Sequence, residues 1–111
     1  MDDRESDTGS AALAGIRTLA AAGNIHVTRH ALGEMTNRRI LLEELTNAIA
    51  NGELLENYPE HQRGPCCLVN GTTAAGSPLH VVCTTAQPTL IIITVYEPRM
   101  PKWKSPRERN R

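Results

Sequence analysis

A chain of 111 residues that is 40% hydrophobic is long enough for one domain with its own core. With 3% aromatics and no Phe, that core must be aliphatic. The zero formal net charge excludes a uniformly basic chain, yet the charge is split. Asp2, Asp3, Glu5 and Asp7 oppose Arg4 at the start, whereas Arg99, Lys102, Lys104, Arg107, Arg109 and Arg111 oppose only Glu108 at the end.

Residues 1–9 read as a disordered acidic start. Ser10 reads as the N-cap of a helix over 11–22, with Leu13, Ile16 and Leu19 on one face and Gly23 or Asn24 as the stop. That apolar run is too short for a membrane span, and Arg17 interrupts it. No signal peptide is visible. Residues 25–27 form a short extended piece. Thr28 caps a helix over 29–38, in which Ala31, Leu32 and Met35 make the core stripe. Leu41, Leu42, Leu45, Ala48 and Ile49 mark a third helix over 41–51, closed by Gly52.

After Gly52 the hydrophobic period becomes alternating. Strands are expected over 53–58, 66–72, 79–85 and 90–97, the last rich in β-branched residues and ended by Pro98. Helices before strands predict an α+β fold, with helices packed on one face of a three- to four-stranded antiparallel meander. The domain should run from 10 to 98. Residues 99–111 then form a basic tail, solvated and frayed or else attracted to phosphate.

A last hairpin turning about Gln87 would pair Leu79, Val81 and Cys83 with Val95, Ile93 and Ile91 on an apolar face. The other face would carry His80, Val82 and Thr84 with Thr94, Ile92 and Leu90, and Tyr96 beside Thr94.

Two polar groupings are chemically suggestive. On the second helix His30, Glu34 and Arg38 recur every fourth residue, a stripe bordering the core. His30 is a candidate general base there. The plainer account is a Glu34–Arg38 surface pair worth about 0.3 kcal/mol. His80 and Tyr96 share a strand face only if the register holds, and each is also an ordinary sheet residue.

The cysteines do not make a metal centre. Cys66 and Cys67 point to opposite faces of one strand, as do His80 and Cys83 relative to each other, and no second ligand pair completes a zinc motif. Three cysteines, two adjacent, are a poor disulfide framework and fit a reducing cytoplasm. No cofactor is expected.

The ordered segments HVTRHALGEM, RRI, LLEEL, ANGELLENYP, CLVNG, PLHVVC and IIITVYEP resemble the small bacterial domain-of-unknown-function family 4258 from about Ile25 to Pro98. The resemblance implies a RelE-like fold, similar to the compact toxin ribonucleases of toxin–antitoxin systems. It further implies a metal-independent endoribonuclease with an antitoxin protein and RNA as partners. The family's motif positions fall on His30, Arg38, His80 and Tyr96. Glu34 stands where a basic residue is common, Arg39 where Gly is usual, and Leu41 where a Ser or Thr cap is usual.

On that resemblance His30 and His80 are base and acid, Arg38 holds phosphate, and Tyr96 positions or donates a proton. Arg39 adds positive charge, and Lys102, Trp103 and Lys104 of the tail bind RNA by charge and stacking. The alternative is a non-catalytic protein- or RNA-binding module of the same fold.

Overall fold

A computed structural model describes residues 3–86 and 88–110, with side chains from Ala11 onward. Gln87, the expected hinge of the last hairpin, lies outside the described residues. The order is α1 (Asp3–Ala21), β1 (Ile25–Val27), α2 (Arg29–Arg38), α3 (Leu42–Asn51), β2 (Glu53–Tyr58), β3 (Cys66–Thr72), β4 (Pro78–Thr84), β5 (Leu90–Tyr96), β6 (Trp103–Ser105) and β7 (Glu108–Arg109). The fold is α+β.

Strands β2 to β5 form an antiparallel meander. β1 adds to the β5 edge in parallel, so the five-stranded sheet is mixed, in the order β1-β5-β4-β3-β2. A wholly antiparallel sheet was expected. Three residues carry no signal of strand orientation, which is set here by β5.

All three helices contribute to one core against one face of the sheet. Ile16, Ala20, Ala31, Met35, Leu45, Ala48 and Ile49 meet Cys67, Val69, Leu79, Val81, Cys83, Leu90, Ile92 and Val95. Gly71 permits this approach, because a Cβ there would lie 2.0 Å from the Ala48 carbonyl oxygen. Arg17 of α1 donates to the Gly52 carbonyl at 2.6 Å and so ties α1 to the end of α3.

Several expectations are corrected. α1 begins at Asp3, so Ser10 lies inside it and not at its cap. Carboxylates near a helix N-terminus favour the helix through its dipole, so an acidic start is not evidence of disorder. Leu32, Leu41 and Leu42 are exposed instead of core. Arg39 ends α2 in a left-handed conformation, φ 57°, where glycine is the usual occupant.

The β4–β5 register is His80 to Tyr96, Val81 to Val95, Val82 to Thr94, then Cys83 to Ile92. The expected register was off by two residues, which leaves the faces unchanged. The bulge at Ile93 then flips the start of β5. Leu90 and Ile92 therefore enter the core in place of Ile91 and Ile93. His80, Val82, Thr94 and Tyr96 occupy the second face, as expected.

That second face is covered by the chain's own end. The segment read as a frayed tail forms the β6–β7 hairpin, and Trp103, 2% exposed, packs with Cys66, Leu68 and Val82. Arg109 clamps Glu56 through two bonds of 2.7 and 2.8 Å, and Arg107 reaches Glu53 at 2.6 Å. The domain therefore extends past Pro98 through the hairpin. No helix among the described residues is long and apolar enough to cross a membrane.

Candidate functional site

β1 stops after Val27, and α2 takes its place beside β5. Thr28 makes the corner. Its N–H donates to the Ile92 carbonyl, its hydroxyl donates to the Ile93 carbonyl at 3.2 Å, and the same oxygen accepts from the Ala31 N–H. The expected cap is therefore also a splice between sheet and helix. Farther along this edge the Val95 N–H has lost its strand partner. The Glu34 carboxylate supplies one, accepting from Val95 N at 2.9 Å and from the Thr94 hydroxyl. Glu34 is thus turned to the sheet and away from the surface pair with Arg38 expected from spacing.

The same edge sets one wall of an open cleft of 440 Å³, which His30, Glu34, Arg38, Thr94 and Tyr96 line together with Glu97, Arg99, Lys102 and Trp103. His30, Arg38 and Tyr96, distant in sequence, meet here. His30 has a 70% exposed side chain, and its Nε2 lies 3.3 Å from Glu34 Oε1. Arg99 is held by Glu97 at 2.8 Å. Among the described residues Arg38 and Lys102 form no ion pair, and Lys102 sits 5.9 Å from the centre of the Tyr96 ring. The cleft thus offers cations to an anion.

His80 does not reach the cleft surface. It is fully buried, its Nε2 lies 2.7 Å from the Pro106 carbonyl, and its Nδ1 lies 3.1 Å from the Tyr96 hydroxyl. A carbonyl only accepts, so Nε2 carries the proton and Nδ1 accepts from Tyr96. Burial lowers the His80 pKa and keeps it neutral. Burial also raises that of Tyr96. The expected acid–base role of His80 meets a physical obstacle: both ring nitrogens are already bonded inside the protein.

The residues expected to bind RNA are dispersed. Lys102 lines the cleft. Trp103 forms part of its inner wall but is buried, edge-on to His80 and with the Arg109 guanidinium 4.6 Å from its ring centre, so it has no open face for a base. Lys104 lies in another hollow beside Arg107 and Glu108. Arg39 borders an apolar hollow of 540 Å³ with Leu32, Leu41 and Leu42.

Sequence reasoning missed Thr94 and Arg99 as cleft residues, and it misread Glu34. Only the alternation of Thr94 with Tyr96 hinted at the first, since both occupy one strand face. Cys67 and Cys83 face each other across β3 and β4 on the core side, and Cys66 lies on the other side.

No curated protein and no solved structure matches the chain. A family model does match, over residues 27–97. That span takes in α2, α3, the meander and the cleft residues as far as Glu97, and omits α1 and the β6–β7 hairpin. By this match the chain belongs to the family described as Domain of unknown function (DUF4258).

Proposed function

We propose that the cleft binds and cleaves single-stranded RNA without a metal ion, as a toxin-type endoribonuclease held in check by an antitoxin protein. The observation that carries this reading is the meeting of His30, Arg38, Tyr96 and Lys102 in one open cleft. The resemblance to family 4258, which implies a RelE-like fold with helices before antiparallel strands, supports it. His30 takes the proton of a ribose 2′-hydroxyl. The 2′-oxygen then attacks the adjacent phosphorus, and the P–O5′ bond breaks. The departing 5′-oxygen takes a proton from the Lys102 ammonium. Products are a 2′,3′-cyclic phosphate and a 5′-hydroxyl, so atoms and charge balance. Arg38 stabilises the charge that builds on the phosphate. Tyr96 lends the cleft a ring, its hydroxyl being bonded to His80.

A second reading has its own observation. With His80 enclosed, His30 is the one imidazole among the described residues that lines the cleft, which suits a module that binds RNA or a protein without cleaving. Purified protein incubated with end-labelled RNA in chelator separates the two. Cleavage that falls about a hundredfold or more in His30→Gln and Arg38→Gln supports the nuclease. Binding that weakens in Arg38→Gln, with no product from the parent chain, supports the binding module. Induction alone should arrest growth if the chain is a toxin, and His30→Gln should relieve the arrest.

A further inference from the structure

We infer that Glu34 is a positioning residue for His30, fixing the ring so that Nε2 carries the proton and Nδ1 is the atom that accepts one. This deepens the ribonuclease reading of the cleft and rests on it for its catalytic consequence. The inference follows from counting donors. Glu34 Oε1 accepts from the Val95 N–H and from the Thr94 hydroxyl. The hydrogen of Thr94 is therefore spent on the carboxylate. Toward His30 Nε2, 3.5 Å away, the Thr94 oxygen offers only a lone pair. The other neighbour of Nε2 is the carboxylate itself, at 3.3 Å. Both neighbours are acceptors, which favours a proton on Nε2 over a lone pair there. Nδ1 has no hydrogen-bond partner among the described residues, and it belongs to a side chain that is 70% exposed. A proton acceptor is thereby left open to a substrate.

An i, i+4 histidine–glutamate contact on a helix is usually a loose pair. This one differs because the carboxylate is pinned from the other side. The backbone amide of β5 and a hydroxyl on the neighbouring residue set its place, so the ring orients against the sheet and not against a mobile side chain. The Glu34 side chain is 22% exposed, which limits competition from water. The arrangement parallels the general logic of a base whose second nitrogen is held by a third group.

The test uses the full chain with ¹⁵N-labelled histidine and three forms: parent, Glu34→Gln and Thr94→Val. Imidazole spectra at high pH should show parent His30 as a single Nε2–H tautomer with slowed exchange of its proton. Glu34→Gln should give a mixture of tautomers and rapid exchange. On RNA it should lower kcat by about tenfold or more while KM stays within about twofold. Thr94→Val keeps the carboxylate on Val95 and His30 and should fall less. An Nδ1–H tautomer in the parent overturns the inference, and that spectrum decides even if Glu34→Gln does not fold. Unchanged kcat in a folded Glu34→Gln chain also overturns it, as does an equal kcat loss in Thr94→Val at equal loss of stability. If the parent shows the held Nε2–H but cleaves no RNA, the ribonuclease reading fails alone. The positioning of His30 then stands for a binding site.

Discussion

Trp103→Ala distinguishes a structural hairpin from an RNA-binding tail. Trp103 is 2% exposed, among Leu68, Val82 and Cys66 and edge-on to His80. Burying a large aromatic removes about 200 Å² from water, worth ~5 kcal/mol at ~25 cal/mol per Å². The Arg109 guanidinium over its ring adds about 0.5 kcal/mol. Against this, the indole N–H is buried without a well-formed hydrogen bond, which costs about 2 kcal/mol in the parent chain. Removing the side chain should therefore destabilise the fold by about 3 to 4 kcal/mol, within the ~3–5 kcal/mol common for such truncations. Urea denaturation followed by far-ultraviolet circular dichroism reads the midpoint. Trp103→Phe, which keeps a ring and deletes the orphan N–H, should lose under about 2 kcal/mol. A loss below about 1 kcal/mol in Trp103→Ala would refute the packing account and return residues 99–111 to solvent.

Gly71→Ala should cost about 3 kcal/mol or more, because the added Cβ would meet the Ala48 backbone at 2.0 Å for oxygen and 2.6 Å for carbon and push α3 off β3; a change below about 1 kcal/mol in denaturant melts would contradict that contact. His80 has its pKa lowered by burial, so its contribution to stability is complete above its unfolded value of about 6.5 and is lost as pH falls through the folded one. Stability curves from pH 8 to 5 should show this acid loss, and it should vanish in His80→Asn measured against its own value at pH 8. Tyr58 is pushed up to about 12, chiefly by burial and then by the Glu56 carboxylate. Its share of stability is present below an unfolded pKa of about 10 and is lost as pH rises toward 12. Absorbance titration should therefore show a phenol near 12 that is lost in Tyr58→Phe, beside that of Tyr96, which burial also raises.

What was legible in the sequence was what local chemistry decides. Thr28 precedes a helical period, and its hydroxyl does accept from the Ala31 N–H. The β-branched run at 90–96 is a strand, and the alternation along β4 put His80 and Val82 opposite Leu79 and Val81. Hidden features depend on partners far along the chain. The hairpin carries one apolar anchor among charges, and its Arg107 and Arg109 are matched by Glu53 and Glu56, some fifty residues earlier. Three consecutive isoleucines give no hint of which one bulges, yet that choice decides which of them reaches the core. In the candidate site the stripe of His30, Glu34 and Arg38 was visible as spacing. Its direction was not.

That direction comes from an unpaired amide. A sheet whose edge strand ends early leaves the next N–H of its neighbour without a ladder partner, and a partly enclosed amide needs an acceptor. At Val95 the acceptor is a carboxylate on α2. Satisfying the sheet edge draws Glu34 inward, and with it the imidazole one turn earlier on the same helix. Arg38, released from Glu34, is left to the cleft. The same hydrogen bond thus closes the sheet along β5 beyond the end of β1 and arranges the polar groups of the cleft. Any change that restores a longer β1 would compete with Glu34 for Val95 and disturb both at once.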